Sequence, residues 1–103
     1  MISEDDALRM VEEMPKKKGV WIKDDREREK AYKQAINEGD YESIMDIMVG
    51  LFERRKTRAS QGKRQTELDD RIFRNTRKVF FGELAVVLHR DIEGIEEELL
   101  LNA

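Results

Sequence analysis

The chain contains no cysteine, a single proline and a single histidine among its 103 residues. The absence of cysteine excludes a disulfide framework and a cysteine-ligated zinc site, and it fits a protein of the reducing cytoplasm. No apolar run approaches the roughly 20 residues that a membrane-spanning helix needs. The N-terminal stretch is the acidic MISEDDALRMVEEM, which lacks a signal-peptide core. We therefore expect a cytoplasmic protein that neither inserts into a membrane nor is secreted.

Groups that catalyse reactions are also scarce. The sequence has one histidine and no glycine-rich phosphate loop, so it lacks the converging groups that an active site requires. His89 lies near the end of a predicted long helix, where a histidine interacts favourably with the helix C-terminus. Carboxylate pairs such as Asp69 and Asp70 resemble helix caps and solvated faces. We expect no enzymatic activity, no cofactor and no metal site.

Charged residues, by contrast, make up 42% of the chain, yet the two signs nearly cancel to a net charge of −3. A chain with this balance repels nucleic acid weakly on average. Any affinity for DNA must therefore come from a local basic patch.

The apolar pattern organises the chain around one central helix, from Asp40 to Lys56, in which apolar residues recur at spacings of three and four. Capping residues and breakers predict four further helices and a polar loop. These are a short helix that Ser3 caps and Pro15 ends, a second from Asp24, a long one from Thr66 through Leu88, a final one after Asp91, and the loop Thr57–Gln65. No strand pattern is present. The predicted fold is all-α, a compact array of about five helices joined by short loops, in a single domain over residues 1–103.

The same pattern predicts the core and the roles of two glycines. Gly39 follows the second helix, where a left-handed conformation closes a helix, so alanine there should be destabilising. Gly50 lies within the central helix, where alanine is expected to be neutral or stabilising. The residues predicted to be buried are Ile44, Met48, Leu51, Phe52, Ile72, Phe80 and Leu84.

The single tryptophan, Trp21, lies between a triple-lysine stretch and a segment rich in both signs of charge. An indole among cations has the chemistry of an apolar wedge between phosphate contacts, which enters the minor groove or stacks on exposed bases. The alternative is a hydrophobic staple, formed with Val20 and Ile22, that docks the second helix onto the core. On the first interpretation the DNA-binding edge comprises Trp21, Lys23, Arg26, Arg28 and Lys30, and Lys63 and Arg64 extend it if their loop folds toward that side.

Three stretches, WIKDDREREKAYKQAINEGD, LFERRK and FFGELAVVL, together resemble the C-terminal helical domain of CarD/CdnL-type transcription regulators. The resemblance runs from about Trp21 to Leu88. Its most specific parts are the corner Asn37-Glu38-Gly39-Asp40 and the phrase Gly82-Glu83-Leu84-Ala85. In that family, the resemblance implies, an N-terminal Tudor-like domain binds the RNA polymerase β subunit. The helical domain contacts promoter DNA at the upstream edge of the melted bubble, with a tryptophan as a minor-groove wedge.

The match is uneven residue by residue. Counting back from Gly39 without gaps, Arg28 and Lys30 match basic positions of the actinobacterial pattern, but its tryptophan position falls on Asp25, about one helical turn after Trp21. A basic position of the fourth helix is occupied by Asp70.

The family's N-terminal domain has no counterpart here. The resemblance therefore implies a non-catalytic DNA-contacting domain that stabilises the RNA polymerase open promoter complex. It would bind promoter DNA weakly and largely independently of sequence, and would reach RNA polymerase only through the absent N-terminal domain. We expect a monomer. The alternative is an all-α protein-interaction module without direct DNA binding.

Overall fold

The computed structural model describes the backbone of residues 2–101 and the side chains of residues 2–99. All regular structure in these residues is helical, with no strand among them, so the all-α prediction is confirmed. A 3₁₀ turn, Met14–Lys16, follows the first helix, and π-helical turns, Arg77–Phe81 and Glu97–Leu101, follow the fourth and the last. The α-helices are α1 (Glu4–Glu13), α2 (Asp25–Glu38), α3 (Tyr41–Ser60), α4 (Glu67–Thr76), α5 (Gly82–Leu88) and α6 (Ile92–Glu96).

These elements form five helical stretches in the described part of the chain, because α4, its π turn and α5 are continuous in sequence, as are α6 and the second π turn. The start of each stretch is set by a short polar side chain. That side chain accepts a hydrogen bond, 2.6–3.3 Å long, from the backbone N–H three residues later. The predicted starts are thereby confirmed at Ser3, Asp24, Asp40, Thr66 and Asp91.

Residues 18–74 form one of two compact units. In this unit α2 and α3 make a hairpin, and Gly39 at the corner has φ +65°, the left-handed conformation that the sequence predicts. The residues of α3 from Ile44 to Phe52 are buried, apart from the half-buried Asp46. The predicted core residues of this unit, Ile44, Met48, Leu51, Phe52 and Ile72, are all buried.

Gly50 marks the place where the segment before α2 crosses α3. A Cβ atom at Gly50 would lie 2.0 Å from the carbonyl oxygen of Val20, and one at Gly19 would lie 2.6 Å from the amide nitrogen of Gly50. The Val20 N–H donates to the carbonyl of Asp46 at 2.9 Å and holds the crossing in place. The structure contradicts the expectation that alanine is harmless at Gly50, because the obstacle is backbone rather than a flexible side chain.

The helix α3 ends at Ser60, four residues beyond the predicted end at Lys56. Beyond Phe52 its residues are exposed, apart from the half-buried Arg58. The predicted loop Thr57–Gln65 is therefore helical over its first four residues. The spacing of apolar residues indicates which part of a helix is buried. The apolar pattern of α3 therefore stops where its buried part stops, although the helix itself continues.

Residues 2–17 and 75–101 form the other unit. Its buried side chains include the predicted Phe80 and Leu84, together with Ala7, Val11, Met14, Phe81, Ile95 and Leu99. Arg77 reaches α6, where its guanidinium pairs with the carboxylate of Glu96 at 2.8 Å. That the whole chain is a single domain stays a prediction from the sequence.

The π turn Arg77–Phe81 contains two buried phenylalanines. Phe80 and Phe81 are neighbours in sequence and both are fully buried, with ring centroids 5.7 Å apart. Neighbouring side chains of a regular α-helix point about 100° apart, since a turn holds 3.6 residues. A π turn contains about one residue more than a turn of α-helix. The side chains that follow it therefore occupy positions around the helix axis that are shifted by about one residue.

None of the helices within residues 2–101 combines the length and the apolar character that a bilayer-spanning segment needs.

Candidate nucleic-acid interface

Trp21 lies outside the core of the unit formed by residues 18–74. Its surface is 38% exposed, and that of the preceding Val20 is 47% exposed. The indole is therefore not a core side chain, whereas Ile22, another member of the alternative hydrophobic staple, is half-buried. The backbone of the segment is nevertheless fixed by the bond from Val20 to Asp46, so the tryptophan is held at a defined place on the surface.

Two guanidinium groups lie over the indole. The Cζ atoms of Arg28 and Arg54 are 4.3 and 5.5 Å from its ring centroid. Contacts of this length are attractive, by about 0.5–1 kcal/mol at exposed sites and more where water is excluded. Arg54 is exposed and is not among the residues that the sequence assigned to the interface. The signal that could have found it is the basic end of α3, LFERRK.

Arg28 is buried, with 2% of its surface exposed, so the prediction that it contacts phosphate does not hold for this structure. Its Nε donates to Oδ1 of the buried Asp69 at 2.8 Å, and its Nη1 donates to the carbonyl of Ile22 at 2.8 Å. Its Nη2 donates to Oδ1 of Asp25 at 2.6 Å. Two carboxylates neutralise this guanidinium, and water does not reach it. Arg28 therefore stabilises the fold and is not available to contact DNA.

Arg26 and Lys30 are exposed on α2, but on the other side of the helix from Arg28. Each is two residues from Arg28, which places it about 160° away around the helix. They line a shallow groove with Lys33, where the carboxylates of Glu29 and Glu38 alternate with the cations. The structure therefore separates these two residues from the indole. Lys23 is exposed in the segment that leads from Trp21 into α2.

Lys63 and Arg64 lie in the loop after α3, which folds back on the helix end. The Nε of Arg58 donates to the carbonyl of Arg64 at 2.7 Å, and the N–H of Lys63 donates to the carbonyl of Arg58 at 2.8 Å. Lys63 and Arg64 thereby line one hollow with Arg55, and Glu67 and Asp70 also line it. The loop thus brings its two cations to the basic end of α3.

Within residues 2–101, no three histidine, aspartate or glutamate side chains are grouped as the ligands of a metal ion would be. No protein-family model matches the chain, and no curated protein or solved structure matches it either.

Proposed function

We propose that the chain is the DNA-contacting helical domain of a CarD/CdnL-like transcription regulator and that it is non-catalytic. It would act by stabilising the RNA polymerase open promoter complex. One observation carries the proposal: the only tryptophan of the chain is partly exposed and lies beside the exposed Arg54. An apolar ring that enters a distorted base step, next to a cation that holds the neighbouring phosphate, is a pair that minor-groove proteins use. The all-α fold agrees with what the sequence resemblance implies.

Binding by this domain should be weak and largely independent of sequence. The net charge of −3 opposes long-range attraction to DNA, so affinity rests on a local group of cations. We expect a dissociation constant for plain duplex of about 10⁻⁴–10⁻⁶ M at physiological salt. Preference for a promoter would come from the shape of its melted edge, which the indole contacts, rather than from base sequence.

The experiment compares two labelled DNAs, a plain duplex and a forked duplex with a melted edge, by fluorescence anisotropy at low salt. The parent chain should prefer the forked DNA. Trp21→Ala should keep its affinity for plain duplex and lose the preference. Val20→Ala is the matched control, because Val20 is a neighbouring exposed apolar residue. Failure of the parent to bind either DNA would refute the proposal.

A protein-interaction module without direct DNA binding is the second candidate. Three large apolar side chains of the unit formed by residues 2–17 and 75–101 are exposed, those of Leu8, Val79 and Val86. Contiguous patches of exposed apolar side chains often mark protein–protein interfaces. If the parent chain binds neither DNA, the result would favour the protein-interaction module.

A further inference from the structure

We infer that the phosphate contacts of this domain come from the C-terminal end of α3 and the loop that follows it, and not from α2. The inference rests on the proposed function and names the surface that performs it. We call this surface the cationic strip. It comprises Arg54, Arg55, Lys63 and Arg64, all of which are exposed.

Charge density separates the two candidate elements. Residues 54–64, RRKTRASQGKR, contain six cations and no carboxylate. The helix α2 contains four cations and four carboxylates, and one of its cations, Arg28, is buried. Cations are common at the C-terminus of a helix, where they offset a dipole worth about half a negative charge. Six cations far exceed that, and five of the six are exposed to solvent.

The strip is continuous with the tryptophan. Arg54 lies over the indole at 5.5 Å, and Arg55 is its neighbour along the helix. Arg55 in turn lines the hollow that Lys63 and Arg64 complete. Cations therefore extend from the indole across the end of α3 to the loop, within one compact unit. A DNA backbone that follows this line would place a base step at the indole.

The backbone of the loop is held in place by its own turn and hydrogen bonds. Gly62, with φ +73°, reverses the chain directly after the helix. Arg58 then fixes the segment after the turn by its hydrogen bond to the carbonyl of Arg64. Lys63 and Arg64 are thus placed before any ligand arrives, which reduces the entropy that binding must offset.

Two carboxylates near the strip reduce its charge without cancelling it. Glu67 and Asp70 line the same hollow, and Asp70 is paired with Arg74 at 3.3 Å. Three cations of the strip, Arg55, Lys63 and Arg64, line this hollow with the two carboxylates, and the exposed Glu53 precedes Arg54. On α2 the alternation of signs is closer, because Glu29 lies between Arg26 and Lys30 and pairs with Lys33 of the same helix at 3.9 Å.

The test compares two triple variants that each remove three exposed cations. The strip variant is Arg54→Gln, Arg55→Gln and Lys63→Gln. The matched α2 variant is Arg26→Gln, Lys30→Gln and Lys33→Gln. Affinity for labelled duplex is measured by anisotropy over a series of salt concentrations, after thermal melts have shown that both variants fold. A logarithmic salt slope falls by about 0.9 for each phosphate contact that is lost.

The strip variant should have a slope shallower by about 2–3 and an affinity at low salt lowered at least tenfold. The α2 variant should keep the slope of the parent. Equal losses in both variants, or a larger loss in the α2 variant, would overturn the inference while leaving the proposed function intact. A parent chain that does not bind duplex at low salt would overturn both.

The nature of the partner is tested with polyglutamate as competitor. If the surface fits a phosphate backbone, unlabelled duplex should displace the labelled duplex much more effectively than polyglutamate does. The two competitors are compared at equal concentrations of negative charge. Equal competition by the two polymers would show a general acidic partner and would overturn the assignment to DNA.

Discussion

Replacement of Gly50 by alanine should destabilise the protein, although the residue lies in the middle of a helix. In an isolated helix the change would be favourable by about 1 kcal/mol. Here the added Cβ would lie 2.0 Å from the carbonyl oxygen of Val20, whereas real Cβ atoms essentially never approach another atom more closely than 3.0 Å. The segment that carries Val20 must therefore move away from α3 by about an ångström.

The cost of that movement has two parts. The hydrogen bond from the Val20 N–H to Asp46 is already 2.9 Å long, so the movement breaks it, at a cost of about 0.5–1.5 kcal/mol. Forcing extra volume into a packed contact costs about 1–3 kcal/mol more. With the gain in helix propensity of about 1 kcal/mol subtracted, Gly50→Ala should lower the free energy of unfolding by about 0.5–3.5 kcal/mol.

Denaturant unfolding measures this loss, and the fluorescence of Trp21 reports whether the segment has moved, because Trp21 directly follows Val20. Gly39→Ala is the control. Nothing lies within 4 Å of a Cβ at Gly39, so alanine there meets only the strain of φ +65°. It should cost about 1–2 kcal/mol and leave the tryptophan emission unchanged. A Gly50→Ala chain as stable as the parent, with unchanged emission, would refute the crossing of α3 by this segment.

Three further predictions concern single contacts. Phe52→Ala should lower the free energy of unfolding by about 3–5 kcal/mol because the ring is buried, and a denaturant melt within about 0.5 kcal/mol of the parent would contradict this. Arg28→Met should cost about 3–5 kcal/mol by leaving Asp69 buried without its cation, and adding Asp69→Leu should recover much of the loss in a double-mutant cycle. Hydrogen bonds from the hydroxyl and then the N–H of Ser43 hold the pKa of the Asp40 carboxyl below its usual value of 3.8. Because the folded pKa is depressed, this contribution to stability is fully present above pH 3.8 and is lost as pH falls through the folded pKa. The stability difference between the parent and Asp40→Ala should accordingly shrink in acid, and a difference independent of pH would contradict the cap.

Features that depend on near neighbours in sequence were predictable. Each cap joins residues three apart, so Ser3, Asp24 and Asp40 could be identified from local pattern alone. The core of α3 was equally accessible, since burial on one side of a helix leaves a periodic trace. Gly39 belongs to this group, because a glycine between two helical patterns marks a left-handed corner.

Features that depend on distant contacts were not predictable in the same way. Arg28 is indistinguishable by type from the exposed Arg26, and its burial follows from Asp69, which lies 41 residues away. Gly50 has the sequence context of an ordinary helical glycine, and only the arrival of Val20 gives it a role. Arg54 has no feature in the sequence that sets it apart from its basic neighbours, and its place beside Trp21 becomes visible only when the segment before α2 crosses α3.

The π turn at Arg77–Phe81 has a consequence for the comparison of this chain with any other. A protein that folds the same way but keeps a regular α-helix there would need one residue fewer between Thr76 and Gly82. Ungapped counting through this helix would then pair every later residue with the wrong neighbour, including the phrase Gly82-Glu83-Leu84-Ala85. An alignment that opens a one-residue gap within 77–81 would restore Leu84 to its core position in both chains.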